Sequence, residues 1–234
     1  MLPPAVPRKT LSAKEVDTMY SLVIFDLDGT LLDTIGDLSA AGNHALSQMG
    51  LPCHERDEYK RFVGNGIPKL VERMLPEGYT ADKFDRALEL FGKYYSLHKS
   101  DSTKPYPEMP ELVNELNERG VICVCNTNKA HGFSQELIRA AYGGGIRDVI
   151  GAGIGFPTKP SPLAAQELCR RFATDKRDAL YVGDSDVDLQ TARNAGIDGC
   201  GVLWGFRSRA ELEAGSPAYI VENAARLREI ILGE

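Results

Sequence analysis

Four short stretches of the chain carry side chains that could do chemistry. Asp26 and Asp28 stand two apart after the apolar run 20–25, and Thr127 follows the run 121–125. Lys159 stands shortly before a helical pattern, and Asp184 and Asp188 follow the run 179–182. Taken singly, each has a plain structural role: Thr127 as a turn residue, Lys159 as a solvated lysine, Asp184 as a helix cap. Together they fall at the carboxyl ends of predicted strands, where open α/β sheets place their ligand sites. Four carboxylates converging in one crevice would repel one another and any phosphate, so such a cluster needs a cation. The candidate ligands are oxygen donors without a nearby histidine or cysteine cluster, so Mg²⁺ is expected rather than zinc. Lys159 and the metal can then offset charge on a phosphoryl group while Thr127 donates a hydrogen bond to it. Asp26 is placed to attack phosphorus, because carboxylates form acyl phosphates. Asp28 can protonate the leaving oxygen and then activate water.

These residues need a scaffold, and the rest of the chain supplies one. Short apolar runs at 20–25, 121–125, 148–150, 179–182 and 199–203 read as strands. Helical patterns at 110–119, 133–141, 162–172 and 186–195 lie between the later ones. The alternation predicts an α/β fold, a doubly wound parallel sheet with helices on both faces. It fails between the first strand and the second. Residues 34–104 carry only helical signals, with Leu38, Ala41, Ala45 and Met49 at helical spacing, then 67–74 and 81–97. That is too long for a crossover, and it reads as an inserted all-helical cap with hinges at 33–36 and 98–107. Thr34, three residues before Asp37, resembles a helix start. The expected organisation is a tail at 1–18, a catalytic core at 19–33 and 105–234, and a cap at 34–104.

Bulk properties narrow the function classes. With 27 basic and 33 acidic residues the formal net charge is −6, which argues against broad nucleic-acid binding. No apolar run approaches the roughly 18 residues of a membrane span, and the tail lacks the apolar centre of a secretory signal. The five cysteines are an odd number without a disulfide pattern. They are expected to be reduced core residues in a cytoplasmic protein, with Cys123 and Cys125 on one face of a strand. The GAGIG stretch at 151–155 lacks the spacing of a dinucleotide loop and reads as plain loop glycines.

FDLDGTLLDT at 25–34, NTNK at 126–129, KPSP at 159–162 and GDSDVD at 183–188 look like the four motifs of the haloacid dehalogenase superfamily. The match runs in order from about residue 20 to the C-terminus. The resemblance implies that Asp26 is the nucleophile and a direct ligand of Mg²⁺. Asp28 would be the acid/base and lend its backbone carbonyl to the metal. Thr127, Asn128 and Lys159 would hold the phosphoryl group, Asp184 would be the third protein ligand, and Asp188 would support the metal site and the lysine. FVGNGIPKLVERML at 62–75 is similar to the cap segment of phosphoglycolate phosphatases, in which the turn at Gly64, Asn65 and Gly66 faces the site and helps select the substrate. Arg61, Lys69 and Arg73 are the candidate cap cations. Two departures from the family are Glu108, where a glycine is common, and the three glycines at 143–145.

The implied activity is hydrolysis of a small phosphorylated metabolite, first of all 2-phosphoglycolate, with no nucleic-acid or membrane partner. Sugar-phosphate and nucleotide phosphatases, and β-phosphoglucomutases, remain alternatives of the same fold. Asp28 counts against dehalogenase and phosphonatase chemistry, which lack that second aspartate. A phospho-accepting receiver module is the rival from another class, set against by Asp28 and by the cap.

Overall fold

The computed structural model describes residues 20–234, so the expected tail lies outside the described residues. β1 (Leu22–Phe25) is buried along its whole length, as an apolar run covered on both faces must be. After it come β2 (Leu32–Asp33), α1 (Ile35–Gln48), α2 (Tyr59–Phe62), α3 (Ile67–Met74), α4 (Ala81–His98) and β3 (Lys104–Pro105). Strands and helices then alternate: α5 (Met109–Glu118), β4 (Ile122–Ala130), α6 (His131–Tyr142), β5 (Val149–Ala152), α7 (Leu163–Arg171), β6 (Ala179–Gly183), α8 (Asp186–Ala195) and β7 (Asp198–Val202). α9 (Arg209–Ala214), β8 (Tyr219–Val221) and α10 (Ala224–Leu232) complete the order. α9, β8 and α10 go beyond the sequence reading.

The main sheet runs β5-β4-β1-β6-β7-β8, with every pair parallel. Side chains alternate between its faces with the period of two that a strand imposes. Val23, Phe25, Cys123, Cys125, Leu180 and Val182 pack with α5, α6 and α10, whereas Leu22, Ile24, Val124 and Tyr181 pack with α7 and α8. Cys123 and Cys125 thus share a buried face as expected. Cys53 differs, being exposed, because it sits in the surface connection between α1 and α2. No helix among the described residues is long and apolar enough to cross a membrane.

Residues 35–98 contain only helices and turns and build their own apolar cluster around Leu38, Ala41, Ala45, Tyr59, Phe91 and Tyr95. β2 and β3 join this insert to the sheet domain as a short antiparallel ribbon, Leu32 opposite Pro105 and Asp33 opposite Lys104. Next to the ribbon the buried Asp37 accepts from the backbone N–H and the hydroxyl of both Ser102 and Thr103, at 2.6–2.9 Å. The helix expected after Thr34 does begin at Ile35, but neither signal residue works as a cap. Asp37 ties the two connections together, and the Thr34 hydroxyl donates to Asp28 Oδ1 at 2.7 Å.

Glu108 and one of the three glycines have local explanations. Glu108 sits before α5 with φ 64°, the left-handed conformation in which glycine is favoured because it has no Cβ to clash. Gly145 lies so close to α5 that a Cβ there would be 2.9 Å from Val113 Cγ1.

Candidate active site

The carboxyl ends of β1, β4 and β6 meet at one edge of the sheet, and the predicted residues gather there. Asp26 leaves β1 with its N–H donated to Val182 O at 2.9 Å. Lys159 Nζ lies 2.7 Å from Asp26 Oδ1 and 2.7 Å from Asp188 Oδ1. The contact to Asp188 is a hydrogen bond. The contact to Asp26 is an ion pair without hydrogen-bond angles, which leaves Asp26 Oδ1 buried and unbonded. Asp188 is committed on both oxygens, since Oδ2 accepts from the N–H and hydroxyl of Ser185 in the capping box of α8. Asp184 Oδ2 accepts from Phe206 N–H at 2.7 Å, and the Thr30 hydroxyl is 3.5 Å from Oδ1.

The electrostatics of this trio ask for a cation. Asp26, Asp184 and Asp188 each offer a carboxylate oxygen within 4.8 Å of the others. Burial, with Asp188 adding to it, pushes Asp26 up to about 7 against the lowering influence of Lys159. Burial, Asp188 and Asp26 likewise hold Asp184 well above the ordinary carboxylate range. One ammonium is not enough positive charge for three buried carboxylates. An all-oxygen donor set with an unbonded oxygen on Asp26 fits a hard divalent ion such as Mg²⁺. Asp26 and Asp184 have the more available oxygens, and Asp188 is occupied by Lys159 and Ser185.

Asp28 is held apart from the trio. Its Oδ1 receives the Thr34 hydroxyl and, at 2.9 Å, the ammonium of Lys129. Lys129 is buried, with its ammonium 4.9 Å from the centre of the Tyr95 ring on α4. Burial alone would weaken that ammonium, but Asp28 and Tyr95 more than offset the loss and raise it above the ordinary lysine value. It therefore stays charged at neutral pH.

Thr127 and Asn128 lie on the extended tail of β4, which runs on to Ala130 past the expected end at 125 because Asn126 and Ala130 still pair with β5. Thr127 lines the central cavity. The Asn128 side chain is occupied otherwise than expected for a phosphate ligand. It accepts from Lys159 N–H at 2.7 Å and donates to Lys159 O at 3.2 Å and Gly64 O at 2.9 Å. Gly64 and Gly66 line the cavity from the insert. Asn65, expected to line it too, turns its Oδ1 to Arg73 at 2.8 Å, because that guanidinium also needs an acceptor beside Phe62 O. Lys69 pairs with Glu72 on the surface and Arg61 is exposed. Among the described residues the cavity-lining cations are Lys129, Lys159 and Arg207. The sequence reading gave no role to Lys129 or Arg207 and marked Thr34 as a helix start alone. Lys129 had a signal in its place directly after Thr127 and Asn128, and Arg207 in following a strand end as the other site residues do.

Similarity to known proteins agrees with this arrangement. Residues 23–202 match the family model described as haloacid dehalogenase-like hydrolase. A phosphoglycolate phosphatase from Vibrio parahaemolyticus is 31% identical over 90% of this chain and 95% of its own length. One from Nitrosospira multiformis is 36% identical over 79% of this chain and 83% of its own. The crystal structure of a proposed phosphoglycolate phosphatase from Lactobacillus delbrueckii superposes with a TM-score of 0.88 at 33% identity, covering 92% of this chain and 100% of that one. The chain therefore belongs to the haloacid dehalogenase-like hydrolase family, and it is a phosphatase of that family.

Proposed function

We propose that the protein hydrolyses a small phosphate monoester, 2-phosphoglycolate before others, through a phosphoaspartate on Asp26. The observation that carries this reading is Asp26 Oδ1: buried, without a hydrogen bond, and next to both Lys159 and the Asp184 carboxylate. An oxygen buried among carboxylates, with one shared ammonium as its counter-charge, is suited to a reactive role.

In the first step a carboxylate oxygen of Asp26 forms a bond to phosphorus as the bond from phosphorus to the ester oxygen breaks. Asp28 gives its proton to the departing alkoxide. In the second step Asp28 takes a proton from water as that water attacks the phosphoaspartate, and phosphate and free Asp26 result. Lys159 and Thr127 hold the phosphoryl oxygens, and Asn128 keeps the Lys159 backbone in place. Thr34 and Lys129 fix the orientation of Asp28 through its Oδ1. Mg²⁺, held by Asp26 and Asp184 with Asp188 and the Asp28 backbone carbonyl in support, would supply Lewis-acid stabilisation of phosphoryl charge when bound. The helical insert serves as the cap. Its Gly64–Gly66 turn lines the cavity that also holds Asp26. Similarity to phosphoglycolate phosphatases favours a two-carbon acid over a sugar phosphate or a nucleotide.

Phosphate release measured across 2-phosphoglycolate, hexose phosphates and nucleoside monophosphates tests both parts. The highest kcat/KM is expected on 2-phosphoglycolate, with activity lost on exhaustive chelation and restored by Mg²⁺. Full activity after chelation would refute the metal site, and a clear preference for hexose phosphates or nucleotides would refute the substrate.

A further inference from the structure

Two side chains of the sheet domain, Arg207 and Asn128, hydrogen-bond the backbone carbonyls of the insert at 60–64, and neither is a reacting group. Arg207, in the loop between β7 and α9, is largely buried and lines the cavity. It donates from Nη1 to Lys60 O and, at 2.8 Å, from Nη2 to Val63 O. Those carbonyls belong to the end of α2, where the last turn leaves acceptors without helical partners. A cation supplying both donors is a strong way to fill them. Asn128 grips the very next carbonyl, Gly64 O.

Each grip is continuous with a phosphate-site or metal-site residue. The residue before Arg207, Phe206, donates its N–H to Asp184 Oδ2 at 2.7 Å, and the neighbouring Gly205 lies so near that a Cβ would meet Asp184 Cβ at 2.3 Å. Asn128 is hydrogen-bonded to both backbone groups of Lys159. One loop thus spans from Asp184 to the cap turn, and one side chain spans from Lys159 to the same turn. The cap turn is thereby tied to both Asp184 and Lys159.

We propose that Arg207 is a specificity-determining positioning residue: by holding α2 and the Val63–Gly64 turn down, it limits the site to small phosphate esters. The proposal rests on the phosphatase reading above. A small acid fills little of the site, so its turnover depends on the cap being held shut. A bulky ester keeps the turn raised in any case, so the grip contributes little to its turnover.

The test compares the full-length enzyme with Arg207→Met in two assays. Hydrogen–deuterium exchange without substrate should be faster across residues 59–66 in the variant. Its kcat/KM on 2-phosphoglycolate should fall on the order of ten- to a hundredfold, the scale of losing a charge-assisted hydrogen bond. The loss on p-nitrophenyl phosphate should be much smaller, so that discrimination between the two collapses. Arg207→Lys, which keeps the charge without the fork that spans two carbonyls, should be intermediate in both assays, and it serves alone if Arg207→Met does not fold. Unchanged exchange at 59–66, or equal losses on both esters, overturns the proposal. If the unaltered enzyme prefers bulky esters, the substrate reading fails separately, and the exchange result still decides whether Arg207 holds the cap.

Discussion

The carboxyl edge of the sheet and the helical insert carry their charges in opposite ways. On the insert, Arg86 and Lys93 pair with Glu89, and Lys69 with Glu72, across single helical turns in open solvent. Such exposed pairs are screened by solvent, contribute little to stability and mostly keep a helix face hydrated. At the sheet edge, Lys159, Asp26 and Asp188 interact with almost no exposure, and Lys129 meets Asp28 in a similar setting. Burying charges in this way costs desolvation that their attraction barely returns. A well-packed apolar edge would be the more stable choice. The chain thus accepts a stability cost at the residues proposed to handle phosphate, and not on the insert.

The comparison can be broken at either end. Lys159→Met should have the largest effect. It leaves Asp26 and Asp188 buried without their shared counter-charge, and the expected destabilisation is about 3–5 kcal/mol with loss of turnover. The pH dependence has a definite sign. Asp26 already has a native pKa above its unfolded value, at about 7, so the native state holds the extra proton between the ordinary carboxylate range and neutrality. Protonation relieves the buried charge, and the Lys159→Met defect in thermal denaturation should be smaller at pH 5 than at pH 8. At the other end, Glu89→Gln removes the shared partner of two exposed cations and should leave the denaturation midpoint and turnover nearly unchanged. A Glu89→Gln loss near that of Lys159→Met, read from the same denaturation curves, would erase the distinction.

The sheet was legible in the sequence because buried parallel strands must be apolar throughout, and runs such as LVIF at 22–25 read as little else. The acidic site residues and Thr127 were legible because they follow those runs closely, and Lys159 because it stands shortly before a helical pattern. Three kinds of feature were not. The β2–β3 ribbon pairs just two residues from each side, too few to show any period. Thr34 and Asp37 carried a capping signal, yet tertiary partners in Asp28, Ser102 and Thr103 claimed their oxygens. Arg207 is 147 residues from Lys60, whose carbonyl it meets, and an arginine aimed at backbone carbonyls leaves no pattern in either segment. The turn at 64–66 follows a related logic: Gly64 and Gly66 line the cavity, while Arg73 on the next helix holds Asn65 Oδ1.

The central claim is that Asp26 becomes phosphorylated and that Asp28 serves both steps. It is tested most directly by acid-quenching Asp28→Asn protein with a labelled aryl phosphate and mapping the label. The phenol leaves without needing a proton, whereas water attack on the phosphoaspartate still needs the missing base. Label should therefore accumulate on Asp26 to near one per site, after a burst of phenol and with steady turnover slowed roughly 10²- to 10⁴-fold. Label on any other side chain, or near-normal steady turnover by Asp28→Asn, would contradict the assignment.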